Sequence, residues 1–207
     1  MNTLKLYRHP LSGHSHRVEL MLSLLHKDHD LIDVDLLKGE HRSEAFLAIN
    51  LFGQVPVLGD GDTVIADSNA ILIYLASVYD TSRSWLPEDP VTAAEVQRFL
   101  SVAAGPVASG PATARLINVF GASNDKTTAL DISRKLFDVL ESHLQDRDWL
   151  VGGAPTIADV ANYTYIAHAP EGDVDLGDYT HLRAWLRRIE ALPGFVPMQD
   201  TAVGLAA

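Results

Sequence analysis

The spacing of apolar residues divides this chain into a mixed first part and a helical second part. Over the first 80 residues the order reads strand, helix, strand, helix, strand, strand, helix. Further along only helical periodicity is found, at about 92–107, 124–146, from 156 onward and around 182–189. We therefore predict an α/β domain over residues 1–80, a linker over 81–89 and an all-helical domain over 90–207.

The first domain is predicted from alternation and turn signals. Strands are expected near 4–7, 31–36, 55–58 and 63–66, and helices near 18–25, 43–49 and 71–78. The last two strands flank Gly59-Asp60-Gly61-Asp62, which is typical of a hairpin turn.

A proline interrupts the apolar run Gln54-Val55-Pro56-Val57-Leu58. Because proline lacks a backbone N–H, it favours a strand edge or a bend, and such X-Pro bonds are often cis. A bend here exposes the N–H and C=O of Val55, which could then pair with an extended peptide. The run thus predicts a peptide-binding edge.

Asp67-Ser68 opens the helix that follows the predicted hairpin. A helix N-terminus is a favourable place for an anion because its first N–H groups are unpaired. Together with the bend at Pro56, this indicates a pocket for a small peptide that carries carboxylates.

The composition of the chain limits which partners and which kinds of site the protein can have. The chain has 207 residues, a formal net charge of -11 and no cysteine. The acidic balance argues against nucleic acid and anionic membranes, and no apolar run reaches the roughly 18 residues of a membrane span. Without cysteine there is no disulfide, no thiolate metal site and no cysteine nucleophile. The nine histidines show no metal-ligand spacing. We therefore expect no metal, no signal peptide and a cytoplasmic location.

The most distinctive segments resemble the cytosolic glutathione transferases. They are Gly39-Glu40-His41-Arg42, Asn50-Leu51-Phe52-Gly53-Gln54-Val55-Pro56 and Asp67-Ser68-Asn69-Ala70-Ile71. The resemblance covers nearly the whole chain and is nearest to the serine-type, phi-like and bacterial branches. It implies a thioredoxin-like βαβαββα domain, a helical domain, a homodimer, and glutathione as co-substrate without a further cofactor.

The resemblance also implies where glutathione binds. His41 and Arg42 match positions that contact the glycine carboxylate. Gln54, Val55 and Pro56 match the peptide contacts, and Asp67 and Ser68 match the pair that holds the γ-glutamyl end. The family often has Glu at the position of Asp67, and Arg where this chain has Asn69.

Ser12 matches the hydroxyl that faces the glutathione sulfur in serine-type members. As a hydrogen-bond donor it would stabilise the thiolate without losing its own proton. Ser15 and His14 are alternatives for this role. His14 and His16 are otherwise expected to face solvent in the first helical turn, and His9 has no assigned place.

The implied function is the transfer of the glutathione thiol to small hydrophobic electrophiles, typical of detoxification. Two alternatives remain open: a glutathione-dependent peroxidase or isomerase, and a non-catalytic glutathione-binding protein that kept the fold. The electrophile site is expected to draw on the Ser12 loop and the second domain, where the candidates are Gln97, Leu100, Ser101, Ala104 and the Arg115 region.

One polar motif in the helical part is structural. Thr156-Ile157-Ala158-Asp159 fits a capping box, in which the threonine and the aspartate satisfy free N–H groups at the start of a helix. The three tryptophans, Trp85, Trp149 and Trp185, are expected to be packing residues.

Overall fold

The computed structural model describes residues 3–202 and divides into two compact units. Of the described residues, the first unit contains residues 3–83 together with Pro193–Gln199. The second contains Ser84–Leu192 and residues 200–202.

A four-stranded mixed sheet forms the centre of the first unit. Its strands are β1 (Leu4–Arg8), β2 (His29–Asp33), β3 (Val57–Asp60) and β4 (Thr63–Ala66), in the order β2-β1-β3-β4. β1 and β2 are parallel, and the other neighbours are antiparallel. The predicted order of strands and helices is confirmed, and the fold is thioredoxin-like.

Helices α1 (Gly13–Leu24) and α3 (Ser68–Tyr79) pack against each other, and the short α2 (Glu44–Ile49) follows a 3₁₀ turn at Glu40–Arg42. Leu6, Leu22 and Leu72 are fully buried in this unit. A polar side chain accepts a backbone N–H at the start of each α-helix, which explains where these helices begin.

The second strand begins and ends earlier than predicted. The sequence pattern indicates 31–36, whereas β2 spans His29–Asp33 because it pairs residue by residue with β1. Leu36 lies beyond the strand and packs against the buried cluster of Val34, Phe46 and Val57.

The segment Pro193–Gln199 belongs to the first unit although it follows the last helix. The Ser23 hydroxyl donates to the Gly194 carbonyl at 2.6 Å, and His16 Nε2 lies 2.9 Å from the Val196 carbonyl oxygen. Met198 is buried. This segment has an irregular sequence pattern, so only its tertiary contacts define its place.

The second unit is helical. Its α-helices are α4 (Pro90–Ala104), α5 (Thr113–Phe120), α6 (Lys126–His143), α7 (Ile157–Ala167) and α8 (Thr180–Glu190). The sequence pattern does not predict α5. Pro111 indicates a break in the path, but it lies in a π-helical turn, Ala108–Ala112, that leads directly into α5.

The capping box at the start of α7 is confirmed. Thr156 and Asp159 form both of its hydrogen bonds, and Asp159 also accepts from Leu150 N and from the indole of the fully buried Trp185. Burial raises the pKa of Asp159, against the lowering effect of these hydrogen bonds. Asp159 therefore connects the start of α7 to Leu150 and to Trp185 of α8.

Among residues 3–202, no helix combines the length and the apolar character needed to cross a membrane.

Candidate functional site

Most of the predicted site residues meet at one end of the sheet. Tyr7 of β1 pairs with Val57 of β3, and Val57 pairs with Ala66 of β4. The loop after β1, the approach to β3 and the exit from β4 therefore leave the sheet on the same side. These three segments carry Ser12, then Val55 and Pro56, then Asp67 and Ser68.

Ser12 is the N-cap of α1. It is half-buried, and its Oγ accepts from Ser15 N at 3.3 Å. Because the oxygen is used as an acceptor, the hydroxyl proton can still be donated to a ligand. Ser12 thus lies at the positive end of a helix with a donor available.

Ser15 is a poor alternative to Ser12. Its side chain is almost fully buried, at 1% exposure, and its Oγ accepts from His9 N at 3.3 Å. This hydroxyl secures the turn between β1 and α1. It is inside the unit and does not face the open end of the sheet.

The prediction that both histidines face solvent is wrong for His16, and His14 is only half-buried. His16 is buried against the C-terminal segment through Val196. His14 Nδ1 lies 3.2 Å from Ser68 Oγ and 3.0 Å from Arg17 Nη1. Packing of α1 against α3 gives His14 its partner, and the C-terminal segment covers His16; the first-turn position alone reveals neither contact.

His14 is held neutral. Burial, and to a lesser extent the charge of Arg17, lower the pKa of His14 from 6.5 to about 3. Because a guanidinium only donates, His14 Nδ1 must be the acceptor, which leaves the imidazole proton on Nε2. Arg17 is itself buried and also donates to Ser68 Oγ at 3.3 Å.

Asp67 has a backbone conformation that non-glycine residues rarely adopt. Its φ is 75° and its ψ 125°, and its carboxylate caps α3 by accepting from Asn69 N and Ala70 N. Such a conformation costs on the order of 1–3 kcal/mol and is most often retained at functional sites. Asp67 is exposed, whereas the neighbouring Ser68 is buried.

The Val55–Pro56 peptide bond is cis. Among the described residues, neither the N–H nor the C=O of Val55 makes a hydrogen bond. The loop before it is fixed by the buried Asn50, whose side chain donates to the Gln54 carbonyl at 2.8 Å and accepts from Phe52 N at 3.1 Å. The backbone at Val55 is therefore open and held in place.

His41 and Arg42 lie in the 3₁₀ turn Glu40–Arg42. Gly53, in the loop that leads to Pro56, packs closely against this turn. An added Cβ on Gly53, whose φ is +58°, would lie 2.7 Å from the His41 carbonyl oxygen. His41 Nδ1 is buried and has no hydrogen-bond partner among residues 3–202. The hydrogen-bonding capacity of this nitrogen is therefore not used within the described residues.

The residues predicted for the electrophile divide into two groups. Gln97, Ser101 and Ala104 share an exposed face of α4. Leu100 and Arg115 are instead buried in the helical core, where Arg115 is paired with Glu171, so neither is available to line an open site.

One group in the described residues has donor atoms arranged as for a metal: His168, Glu171 and Asp200. Glu171 already accepts from Arg115 Nε at 2.6 Å and lies 2.9 Å from His168 Nδ1. Burial opposes ionisation of Glu171, but the hydrogen bond from His168 and the charge of Arg115 outweigh it and lower the pKa. The group is a structural cluster of the helical unit.

Asn50 and Arg17 are two residues of this site to which the sequence pattern assigns no role. Asn50 stands at the start of a Leu-Phe-Gly turn, where asparagine commonly bonds to the backbone two residues on. Arg17 lies three residues after His14, which places the two on one face of a helix. Both signals are present in the sequence, but neither indicates which partner is met.

The chain combines two features: a thioredoxin-like unit with Ser12, Val55 and Ser68 at one end of its sheet, and a helical unit that follows it. Together they define a class of two-domain proteins. The family models of the glutathione S-transferase N-terminal and C-terminal domains match residues 2–77 and 106–193. The chain belongs to the glutathione S-transferase family.

Individual relatives agree with this assignment. Glutathione S-transferase 3 of Zea mays is 34% identical over 206 residues, which cover 94% of this chain and 92% of the relative. A glutathione S-transferase structure from Pseudomonas fluorescens has 33% identity and a TM-score of 0.90, and the match covers 96% of this chain and all of that one. A homologue from Drosophila mojavensis, solved with bound glutathione, has 33% identity and a TM-score of 0.85 over 93% of this chain and 90% of that chain.

Proposed function

We propose that this transferase activates the glutathione thiol with Ser12 and conjugates it to small hydrophobic electrophiles. The observation that carries the proposal is the half-buried Ser12 hydroxyl at the N-terminus of α1, at the end of the sheet where Val55 and Ser68 also lie. Glutathione supplies the sulfur, so the enzyme needs no cysteine of its own.

The energetics of thiol activation are within reach of this arrangement. An ordinary thiol has a pKa of about 8.5, and lowering it by about two units requires about 2.7 kcal/mol. One hydrogen bond to a charged group contributes about 1.5–3 kcal/mol, and a helix N-terminus adds about 0.3–1 kcal/mol. Ser12 offers both contributions. The gain from thiolate population is limited to about 30-fold, so further acceleration depends on orientation of the electrophile.

We propose the following contacts for glutathione. The open backbone of Val55, next to Gln54 and Pro56, pairs with the cysteinyl peptide as a neighbouring strand does. His41 and Arg42 bind the glycine carboxylate, in keeping with the unpartnered Nδ1 of His41. Asp67 and Ser68 bind the γ-glutamyl end at the N-terminus of α3. The chain as a whole has a net charge of -11 and repels an anionic peptide. Local positive potential, from Arg42 and from the N-terminus of α3, therefore has to attract it.

The test is a titration of the bound glutathione thiol by its ultraviolet thiolate absorbance. In the wild type we expect a thiol pKa well below the free value. In Ser12→Ala it should return toward the free value, and the conjugation rate should fall by roughly one to two decades. Ser15→Ala is the matched control, because its buried hydroxyl bonds to His9 N; it should lower stability and leave the thiol pKa unchanged.

Other outcomes identify the alternatives. A depressed thiol pKa in both wild type and Ser12→Ala would remove Ser12 from the role. Bound glutathione with no depression would favour a non-catalytic binder. A depressed pKa without conjugation of any electrophile in a broad panel would favour peroxidase or isomerase chemistry.

We also propose that the chain belongs to the serine-type, phi-like or bacterial branch, works as a homodimer and is cytoplasmic. Ser12 as the N-cap of α1 supports the serine type, and the similarity to the Pseudomonas fluorescens structure supports the bacterial branch. Leu51 and Phe52 support the dimer, since these adjacent apolar residues are 75% and 68% exposed on the turn after α2. The absence of cysteine fits a reducing compartment.

A further inference from the structure

We propose that His14 is a positioning residue for the γ-glutamyl end of glutathione: it holds Arg17 and Ser68 so that the Ser68 hydroxyl receives the α-carboxylate and the neighbouring Arg17 supplies the positive charge. The inference rests on the proposed function, because it concerns the same ligand. It adds Arg17, to which the sequence pattern assigns no role, and gives His14 a role other than facing the glutathione sulfur.

Three polar atoms form a closed triangle between α1 and α3. His14 Nδ1 lies 3.0 Å from Arg17 Nη1 and 3.2 Å from Ser68 Oγ, and Arg17 Nη1 lies 3.3 Å from Ser68 Oγ. Arg17 and Ser68 are nearly inaccessible to solvent, at 1% and 3% exposure. His14 is half-buried. The three contacts fix all three side chains relative to the helix ends.

The donor and acceptor roles in the triangle follow from the chemistry of the three side chains. Arg17 donates to both His14 Nδ1 and Ser68 Oγ, since a guanidinium has no acceptor. The Ser68 hydroxyl proton is then free to point either at His14 Nδ1 or at a ligand oxygen. When a carboxylate arrives, the hydroxyl turns toward it and His14 Nδ1 stays paired with Arg17. No buried polar atom of the triangle loses its partner in this exchange.

The charge in the triangle has the right sign for a carboxylate. A neutral His14 accepts from Arg17, whereas a protonated imidazole would repel it and displace the guanidinium from beneath Ser68. Burial together with the Arg17 charge lowers the pKa of His14 to about 3, so the neutral form prevails at neutral pH. Arg17 then supplies the positive charge and Ser68 the hydroxyl at the N-terminus of α3.

The experiment compares two ligands on variants of His14. One ligand is glutathione, and the other is γ-aminobutyryl-cysteinyl-glycine, which is glutathione without its α-carboxylate. Calorimetry gives both dissociation constants without any need for turnover. His14→Phe keeps the ring volume and removes Nδ1, and His14→Asn returns an acceptor near the Nδ1 position.

We expect the wild type to bind glutathione at least tenfold more tightly than the analogue. In His14→Phe this preference should fall about tenfold, roughly the effect of one lost hydrogen bond, with the analogue bound as in the wild type. His14→Asn should restore most of the preference. The KM for glutathione should follow the same order, while kcat at saturating glutathione and the thiol pKa should not change.

His16→Leu is the matched control, since it removes the other histidine in the first turns of α1, which is buried and bonds instead to Val196. It should lower stability and keep the ligand preference. An unchanged preference in His14→Phe, or an effect on kcat or the thiol pKa alone, would overturn the inference. If His14→Phe does not fold, His14→Leu takes its place in the same comparison.

The outcomes separate this inference from the proposed function. Wild-type protein that binds glutathione with the carboxylate preference but conjugates no electrophile would refute the transferase and leave the role of His14 supported by the binding data. Wild-type protein that does not bind glutathione would overturn both.

Discussion

At the scale of single residues, surroundings rather than residue type decide the role. Ser12 and Ser15 have identical side chains, yet Ser12 is a half-buried helix cap and Ser15 is a buried acceptor for His9 N. His14 and His16 likewise differ in partner: His14 meets Arg17 and Ser68, whereas His16 meets the C-terminal segment. The chemistry of each position follows from what packing brings next to it.

His14 makes a testable contribution to acid stability. The unfolded chain takes up a proton at His14 near its ordinary pKa of 6.5, and the folded protein only at a pKa of about 3. Between these values the unfolded state binds more protons, so stability falls as the pH falls. From pH 7 to pH 5.5 this effect amounts to about 1 kcal/mol.

The free energy of unfolding at pH 7 and at pH 5.5 is measured by urea unfolding, with circular dichroism as the signal. His14→Asn removes the titrating group and should lose about 1 kcal/mol less stability than the wild type over this range. Ser15→Ala, which removes no titratable group, should show the wild-type dependence. Equal losses in wild type and His14→Asn would mean that His14 keeps an ordinary pKa.

At the scale of elements, the site is assembled from the ends of strands and helices and from the loops between them. The register of β1, β3 and β4 places three connections at one end of the sheet. Asn50 and Gly53 then fix one of these three, the loop from α2 to β3, through a side-chain bond to the Gln54 carbonyl and a close contact with the His41 carbonyl. The loops thus determine where the residues of the candidate site lie.

Two glycines allow this loop contact to be tested with a matched pair. Both Gly53 and Gly39 have positive φ, +58° and +75°, so alanine at either position costs on the order of 1–2 kcal/mol of backbone strain. Only at Gly53 does the added Cβ meet backbone, at 2.7 Å from the His41 carbonyl; at Gly39 there is nothing within 4 Å. Gly53→Ala must therefore displace the His41–Arg42 turn.

We expect Gly53→Ala to raise the dissociation constant for glutathione about tenfold or more, whereas Gly39→Ala should change stability and keep affinity. Calorimetry with glutathione and urea unfolding measure both quantities. Equal glutathione affinity in the two variants would show that the His41–Arg42 turn does not contribute to binding.

At the scale of the whole molecule, the exposed pair Leu51 and Phe52 leads to a prediction on assembly. If a second copy of the chain covers this surface, Phe52→Ser should shift the protein from dimer to monomer at micromolar concentration. Leu37→Ser is the matched control, since Leu37 is 91% exposed on the loop after β2. Light scattering coupled to gel filtration gives the mass directly. A dimer that survives Phe52→Ser would place the interface elsewhere.

The sequence by itself determined the order of elements in the first unit, the helical character of the second unit and the family. Alternation and helical period are local properties, so they were sufficient for the order βαβαββα, the helical second unit and the capping box at Thr156. Short-range contacts such as the N-caps at Ser43 and Asp67 are likewise encoded within a few residues.

Only the tertiary structure decided which distant residues meet. His14 and Ser68 are 54 positions apart, and Ser23 and Gly194 are 171 apart. No periodicity in the sequence reports such pairs, because they depend on how α1 packs against α3 and on where the C-terminal segment returns. The end of β2 and the burial of His16 were decided in the same way, since strand pairing and packing override local pattern.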